Sequence, residues 1–326
     1  MPNIRPEIVL VAGPPGSGKS TTTNFLENEG YSRLNRDSIG GDLSVKGKVY
    51  RVLRERFQTG VRSFVLDNVY ATKESRAVVV ELAAELGLPI RVIWIDATAE
   101  QAQFLTALRQ MREFGKVLSV GDYKKEPYKS HPGMFPPAAQ FAYWKKVERP
   151  TSDEGFSSVE FRPVKIDLGP EYVNEAIIFD LDDTLRNTES GHKYPRHHDD
   201  VRVLPGRSEK LKALKEEGVI LLGASNQSGI SQKPDDPRYV SEDEVKLCIQ
   251  RTFELLGVEF ECLYSPERGG PPRSYLRKPM PGMGVYLIEK YKLNPALCVY
   301  VGDLTSDRTF AERCGFQFAW AEEFFA

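Results

Sequence analysis

Apolar residues in the first half of the chain fall in short continuous runs, separated by stretches with helical spacing. Ile8-Val9-Leu10-Val11-Ala12, Ser63-Phe64-Val65-Leu66-Asp67 and Arg91-Val92-Ile93-Trp94-Ile95-Asp96 are read as buried strands. A Gly-rich turn and a helix through Leu26 follow the first run. A helix from about Ser75 to Leu86, ended by Gly87 and Pro89, separates the second from the third. The pattern restarts beyond the stretch Pro163 to Glu175, with strands at Ala176–Asp180, Val219–Ala224 and Cys298–Gly302 and a helix at about Ser208 to Glu217. Strands alternating with helices imply parallel sheets covered on both faces. The predicted fold class is therefore α/β, with two open parallel-sheet domains over residues 1–166 and 174–326. Chemistry is expected at the carboxyl ends of their strands. Ser119 to Pro137, rich in Gly, Pro, Tyr and Lys and without a period, reads as a mobile loop or lid.

Composition narrows the class. In 326 residues, 40% hydrophobic and 28% charged positions fit a soluble globular chain. No apolar run is long enough to cross a bilayer, so no membrane partner is expected. Met1 to Pro6 lacks the basic-then-apolar layout of a signal peptide. Cys248, Cys262, Cys298 and Cys314 form no close pair, which suggests neither a CxxC metal site nor a disulfide framework. A cytoplasmic location is the expectation, and a homo-oligomer is left open. With 44 basic and 46 acidic side chains the net charge is −2, so no global field draws a polyanion. Nucleic-acid contacts would have to come from local basic patches and be salt-sensitive. Lys124, Lys125, Lys129, Lys145, Lys146 and Arg149, interleaved with Tyr123, Tyr128, Tyr143 and Trp144, could grip a strand; equally, they could be a solvated face with core aromatics.

The first chemical motif follows the first strand. Gly13-Pro14-Pro15-Gly16-Ser17-Gly18-Lys19-Ser20, continued by Thr21, matches the P-loop pattern in full, with a strand before and a helix after. Backbone N–H groups freed by Gly13, Gly16 and Gly18 can converge with Ser17 and Thr21 on nucleotide phosphates at a helix N-terminus. Lys19 should neutralise the β- and γ-phosphates and Ser20 should hold Mg²⁺, with ATP as the nucleotide. Asp37 follows a short strand and can accept the proton of an attacking hydroxyl. Asp67 and Asn68 end the second buried strand, where Asp67 could orient the acceptor or hold Mg²⁺ through water. Taken singly, either aspartate would serve equally as a helix cap or a solvated loop residue. Together, beside a P-loop, they point to a phosphoryl acceptor site.

These segments, with Ala97-Thr98-Ala99-Glu100-Gln101-Ala102, resemble in order and spacing the kinase module of animal polynucleotide kinase-phosphatases. The resemblance implies a P-loop NTPase-type kinase, with Asp37 as base toward a 5′-hydroxyl. It also implies Arg109 as a lid arginine over the transferring phosphoryl group, where a planar guanidinium suits spread charge. The phage version carries an arginine three positions after its base; here that position is Gly40.

The second motif, Phe179-Asp180-Leu181-Asp182-Asp183-Thr184-Leu185, matches the DxDxT signature of haloacid-dehalogenase-type phosphohydrolases. Asp180 would attack phosphorus to form an aspartyl-phosphate, and Asp182 would protonate the leaving oxygen and later activate water. A cluster of acids needs a cation, so Mg²⁺ is expected, held by Asp180, Asp182, Asp303 and Asp307. Ser225 and Asn226, after a buried strand, would contact the phosphoryl group, and Lys278 would offset its charge. Ser225, Lys278 and Asp307 each have a bland reading as a cap or solvated cation; four motifs in sequence order, three of them directly after buried strands, argue for function.

Ser225-Asn226-Gln227-Ser228-Gly229-Ile230, Leu276-Arg277-Lys278-Pro279 and Phe318 to Phe325 resemble the phosphatase module of the same animal enzymes. Histidinol-phosphate and heptose-bisphosphate phosphatases share the middle part. Those relatives carry a Cys/His zinc loop where this chain has Cys262-Leu263-Tyr264-Ser265-Pro266, so no structural zinc is expected there. The resemblance implies a Rossmann-like phosphatase domain after the kinase, in the order of the phage enzyme, and DNA or RNA strand ends as partners. A bifunctional kinase-phosphatase for nucleosides or sugars would use the same catalytic residues, and a regulatory protein with dead sites would not need them. His192, His197 and His198 lie in one basic segment with no further ligand at suitable spacing, and are read as surface or substrate-touching residues.

Overall fold

A computed structural model describes residues 4–44, 46–131 and 133–326; Met1 to Asn3 of the leader reading and Pro132 of the 119–137 loop lie outside them. In the first half the chain runs β1 (Glu7–Ala12), α1 (Lys19–Asn28), β2 (Ser32–Leu34), α2 (Arg36–Ile39), α3 (Lys48–Gln58) and β3 (Ser63–Asp67). Then come α4 (Lys73–Leu86), β4 (Ile90–Asp96), α5 (Ala99–Phe114), α6 (Pro137–Trp144) and β5 (Ser158–Pro163). The strands form one parallel sheet in the order β2-β3-β1-β4-β5. β1 is buried along its whole length because both faces are covered. Ile8, Leu10 and Ala12 join one core with Phe64, Leu66 and Trp94, while Val9 and Val11 join another with Val65 and Ile93. Thr72 and Ser75 cap the start of α4 reciprocally, and Gly87 in the left-handed region ends it.

The second half runs β6 (Ala176–Phe179), β7 (Arg186–Thr188), β8 (Val201–Val203), α7 (Arg207–Glu216), β9 (Ile220–Asn226) and α8 (Glu242–Leu256). It continues through β10 (Glu261–Ser265), α9 (Gly282–Tyr291), β11 (Val299–Gly302), α10 (Thr305–Cys314), β12 (Gln317–Trp320) and α11 (Ala321–Phe324). Five of these strands form a second parallel sheet, β10-β9-β6-β11-β12, and β7 and β8 pair as a separate antiparallel ribbon. Its core gathers Phe179, Leu181, Leu211, Val245, Ile249 and Val301.

The chain divides into two compact units, Met1–Thr106 with Ser130–Ile166, and Ala107–Lys129 with Asp167–Ala326. The sequence pattern puts residues 107–129 with the first domain. Within the second unit they are tied by Arg112, which pairs with Glu289 at 3.0 Å, and by Val117, which lies against Gly282. No helix among the described residues is long and apolar enough to cross a membrane.

Candidate active sites

In the first unit the P-loop bridges the end of β1 and the start of α1. Gly16 (φ +84°) cannot carry a side chain: a Cβ there would run into Thr106 Oγ1 and the Ala102 carbonyl. Those groups hold the loop from behind. Gln140 on α6, fully buried, donates from Nε2 to the Pro15 carbonyl (2.9 Å) and to Thr106 Oγ1 (3.1 Å). Gly18, also left-handed, is the N-cap residue of α1, so backbone N–H groups of Lys19, Ser20 and Thr21 open the helix. Lys19 Nζ donates to the carbonyls of Gly13 (3.0 Å) and Pro14 (2.8 Å), a folded-back position within the loop.

Asparagines set the acceptor side. Asn35 caps α2 by accepting from the Asp37 backbone N–H (2.6 Å), and its Nδ2 donates to the Asp67 carbonyl (2.7 Å). Asn68 Oδ1 accepts from the Arg36 N–H (3.0 Å) and Nδ2 donates to the Tyr70 hydroxyl (3.2 Å). The corner after β2 is thus pinned to the end of β3, and Asp37 is presented to solvent on α2. Two expectations change. Asn68, expected to touch substrate, has both amide atoms engaged within the protein, Oδ1 by α2 and Nδ2 by Tyr70. Asp67, read as orienting the acceptor or holding Mg²⁺ through water, is buried and paired with Arg33, and its Oδ2 also accepts from Thr23 Oγ1 (3.1 Å). Arg33 went unnoticed in the sequence because an arginine on a three-residue edge strand has no local signature. Arg109 lies on α5 beyond Thr106, half-buried, in the segment grouped with the second unit.

In the second unit the ends of β6, β9 and β11 bring the DxDxT aspartates, Ser225 and Asp303 together. Asp180, Asp303 and Asp307 offer carboxylate oxygens within 4.8 Å of one another. Lys278, almost fully buried, sits among them, 2.9 Å from Asp180 Oδ1 and 2.8 Å from Asp307 Oδ1. Its third proton goes to the Tyr300 hydroxyl (2.7 Å), which in turn donates to the Ala224 carbonyl (2.7 Å). Burial pushes the Asp180 carboxyl up to about 7, against the pull of Lys278 and with Asp307 adding to the rise. Burial, then Asp307, likewise lifts Asp303 to about 6. Burial would lower the Lys278 ammonium, but Asp180 and Asp307 outweigh it and its pKa is raised. Three converging carboxylates with a single buried cation leave an excess of negative charge. That donor set suits a hard, oxygen-loving divalent ion such as Mg²⁺. Asp307 combines both of its readings, since Oδ2 accepts from the Leu304 N–H to cap α10 while Oδ1 faces Lys278.

Asp182, expected among the metal ligands, stands outside that group. Arg186 Nε donates to its Oδ1 (2.9 Å) and Gln227 Nε2 to its Oδ2 (2.9 Å), which turns the carboxylate away from the other three. Arg186 is fully buried, with a second nitrogen on the Cys248 carbonyl and on Thr252 Oγ1, both 2.9 Å away on α8. Gln227 also donates to Ser225 Oγ (2.9 Å), linking Ser225 to Asp182. Asn226, expected on substrate, instead clamps the lysine loop: its Nδ2 donates to the Lys278 carbonyl (3.1 Å) and its Oδ1 accepts from the Lys278 N–H (3.0 Å). Arg186, Gln227 and Tyr300 were not singled out in the sequence, and none carries a motif of its own.

Two family models match the chain: "Polynucleotide kinase 3 phosphatase" over residues 175–325 and "AAA domain" over residues 8–116. The bifunctional polynucleotide phosphatase/kinase of Schizosaccharomyces pombe is 31% identical over 160 residues, covering 49% of this chain and 34% of that protein. The chain thus spans about a third of that relative's length. The D-glycero-beta-D-manno-heptose-1,7-bisphosphate 7-phosphatase of Haemophilus ducreyi is 30% identical over 151 residues, covering 43% of this chain and 79% of that enzyme. Among solved structures, a Pnkp1/Rnl/Hen1 complex is similar over 98% of each chain at 16% identity, with a TM-score of 0.34.

Proposed function

We propose that this chain, which matches the polynucleotide kinase 3 phosphatase model over residues 175–325 behind an AAA domain match over residues 8–116, heals nucleic-acid ends: it transfers the ATP γ-phosphate to a 5′-hydroxyl and removes a 3′-phosphate. The observation that carries this reading is the pairing, in one chain, of a complete P-loop with a buried Asp180–Lys278–Asp307 cluster.

In the first unit the P-loop amides and Lys19 take the triphosphate, Lys19 exchanging its loop carbonyls for phosphate oxygens. Asp37 accepts the proton of the 5′-hydroxyl, whose oxygen bonds to the γ-phosphorus as the bond to ADP breaks. Asp67 holds Arg33 and, through Thr23, the middle of α1 in place. The role of Arg109 rests on the resemblance alone.

In the second unit the Asp180 carboxylate bonds to phosphorus while the bond to the 3′-oxygen breaks, and Asp182 supplies the proton that oxygen needs. Asp182 then takes a proton from water as water attacks the aspartyl-phosphate, releasing phosphate. Lys278 and Ser225 meet the phosphoryl oxygens. Mg²⁺, held by Asp180, Asp303 and Asp307, would supply charge neutralisation at those oxygens.

The test supplies an oligonucleotide with a 5′-hydroxyl and a 3′-phosphate, ATP and Mg²⁺, and follows each end separately. Gain of a 5′-phosphate and loss of the 3′-phosphate are expected. The likeness to the heptose-bisphosphate phosphatase favours a second reading, a small-metabolite enzyme. Turnover of sugar phosphates or nucleosides with both oligonucleotide ends untouched would establish that reading and overturn the first.

A further inference from the structure

The segment between β7 and β8 carries two adjacent histidines that neither proposed activity uses. A short 3₁₀ turn, His198–Asp200, leads into β8, and α8 runs beside it. Glu244, in the first turn of α8, reaches the pair from 46 residues away in sequence. His198 Nδ1 lies 2.7 Å and His197 Nε2 3.9 Å from the same oxygen, Glu244 Oε1. The two imidazole rings stack with centroids 4.2 Å apart, so these nitrogens face the carboxylate side by side. Their remaining nitrogens face a second carboxylate: His197 Nδ1 is 3.3 Å from Asp199 Oδ2, and His198 Nε2 is 3.7 Å from Asp199 Oδ1.

We propose that His197, His198 and Glu244 form a binding site for a borderline-soft divalent ion such as Zn²⁺, distinct from the carboxylate site at Asp180. The three donor atoms lie within 4.8 Å of one another, so small side-chain rotations bring all three around one ion. Two imidazoles and a carboxylate select zinc-like ions over Mg²⁺, which prefers oxygen ligands throughout. Asp199 lies behind both rings: its backbone N–H donates to His197 Nδ1 (3.3 Å), and its carboxylate oxygens stand 3.3 Å from that nitrogen and 3.7 Å from His198 Nε2. The site is partly exposed, so an ion can enter from solvent, and three ligands leave a position for water. Bound there, the ion would staple the segment before β8 to α8, the helix whose Cys248 carbonyl and Thr252 hydroxyl also hold Arg186.

The test titrates Zn²⁺ into the full chain in excess Mg²⁺ by calorimetry, with Co²⁺ absorption as an independent report of imidazole ligation. One Zn²⁺ per chain is expected. His197→Ala, which alters an exposed ring and no packed core, should weaken that binding by roughly tenfold or more. Zn²⁺ affinity that is absent in the wild-type chain, or unchanged in His197→Ala, would overturn the proposal. Circular dichroism of each variant confirms that lost binding is not lost fold.

Discussion

Arg186 offers the sharpest test of how the phosphatase site is built. Its guanidinium is fully buried and makes three side-chain contacts at 2.9 Å, to Asp182, the Cys248 carbonyl and Thr252. Arg186→Met keeps most of the volume and removes all of them. A hydrogen bond to a charged group contributes about 1.5–3 kcal/mol, and breaking a buried ion pair costs about 3–5 kcal/mol because one charge is left behind. The Asp182 side chain is 19% exposed and keeps Gln227, so water and the amide recover part of that loss. The net cost to the second unit should be about 3 kcal/mol, read as a shift in its urea midpoint. The catalytic effect follows from position. A general acid contributes roughly 10²–10⁴-fold, and an Asp182 free to rotate toward the lysine cluster forfeits part of it. We expect 3′-phosphatase kcat to fall roughly 10- to 100-fold, with a smaller change in KM. 5′-Kinase activity should be spared at temperatures where the chain stays folded. Arg186→Lys should recover some stability but little activity, because an ammonium cannot reproduce the guanidinium fork. If Arg186→Met retained kcat within about threefold while folded, the positioning argument would fail.

Other expectations are simpler. Lys19→Ala should reduce phosphoryl transfer from ATP by about 100-fold or more and leave 3′-dephosphorylation intact; kinase activity surviving that change would contradict the P-loop assignment. Arg76 is fully buried, bidentate on Glu154 at 2.7 Å and bonded to the carbonyls of Tyr70 and Glu148, so Arg76→Met should destabilise the first unit by about 3–5 kcal/mol in urea unfolding. A loss below about 1 kcal/mol would mean that the guanidinium is replaceable. Mg²⁺ should raise the melting temperature of the second unit through the three carboxylates, and Asp303→Asn should remove most of that shift. An undiminished shift would place the ion elsewhere.

The strands most legible in the sequence are the central ones. β1, β3, β4, β6, β9 and β11 are covered on both faces and read as unbroken apolar runs. The edge strand β5, Ser158–Pro163, is largely exposed and carries Glu160 and Arg162, so it has no such run. β7 and β8, three residues each, are too short for a period to show. The same contrast holds at the sites. Asp180, Asp182 and Asp303 stand just after strands, and Lys278 in a contiguous motif of its own. Arg33, Arg186, Gln227 and Tyr300 act through partners across the fold, and an arginine in sequence looks like a solvated cation until its burial is known. Asn68 and Asn226 make internal hydrogen bonds that the sequence did not show, because sequence locates an amide without saying which groups it will meet. Glu244 completes the histidine pair from another helix, which spacing along the chain could not reveal.

The most direct measurement compares wild-type and Asp180→Asn chains on one oligonucleotide bearing a 5′-hydroxyl and a 3′-phosphate, scoring each end over time with ATP and Mg²⁺ present. The account predicts that the variant still phosphorylates the 5′ end at the wild-type rate and leaves the 3′-phosphate in place. Loss of both reactions in a folded variant, or continued 3′-dephosphorylation, would contradict it.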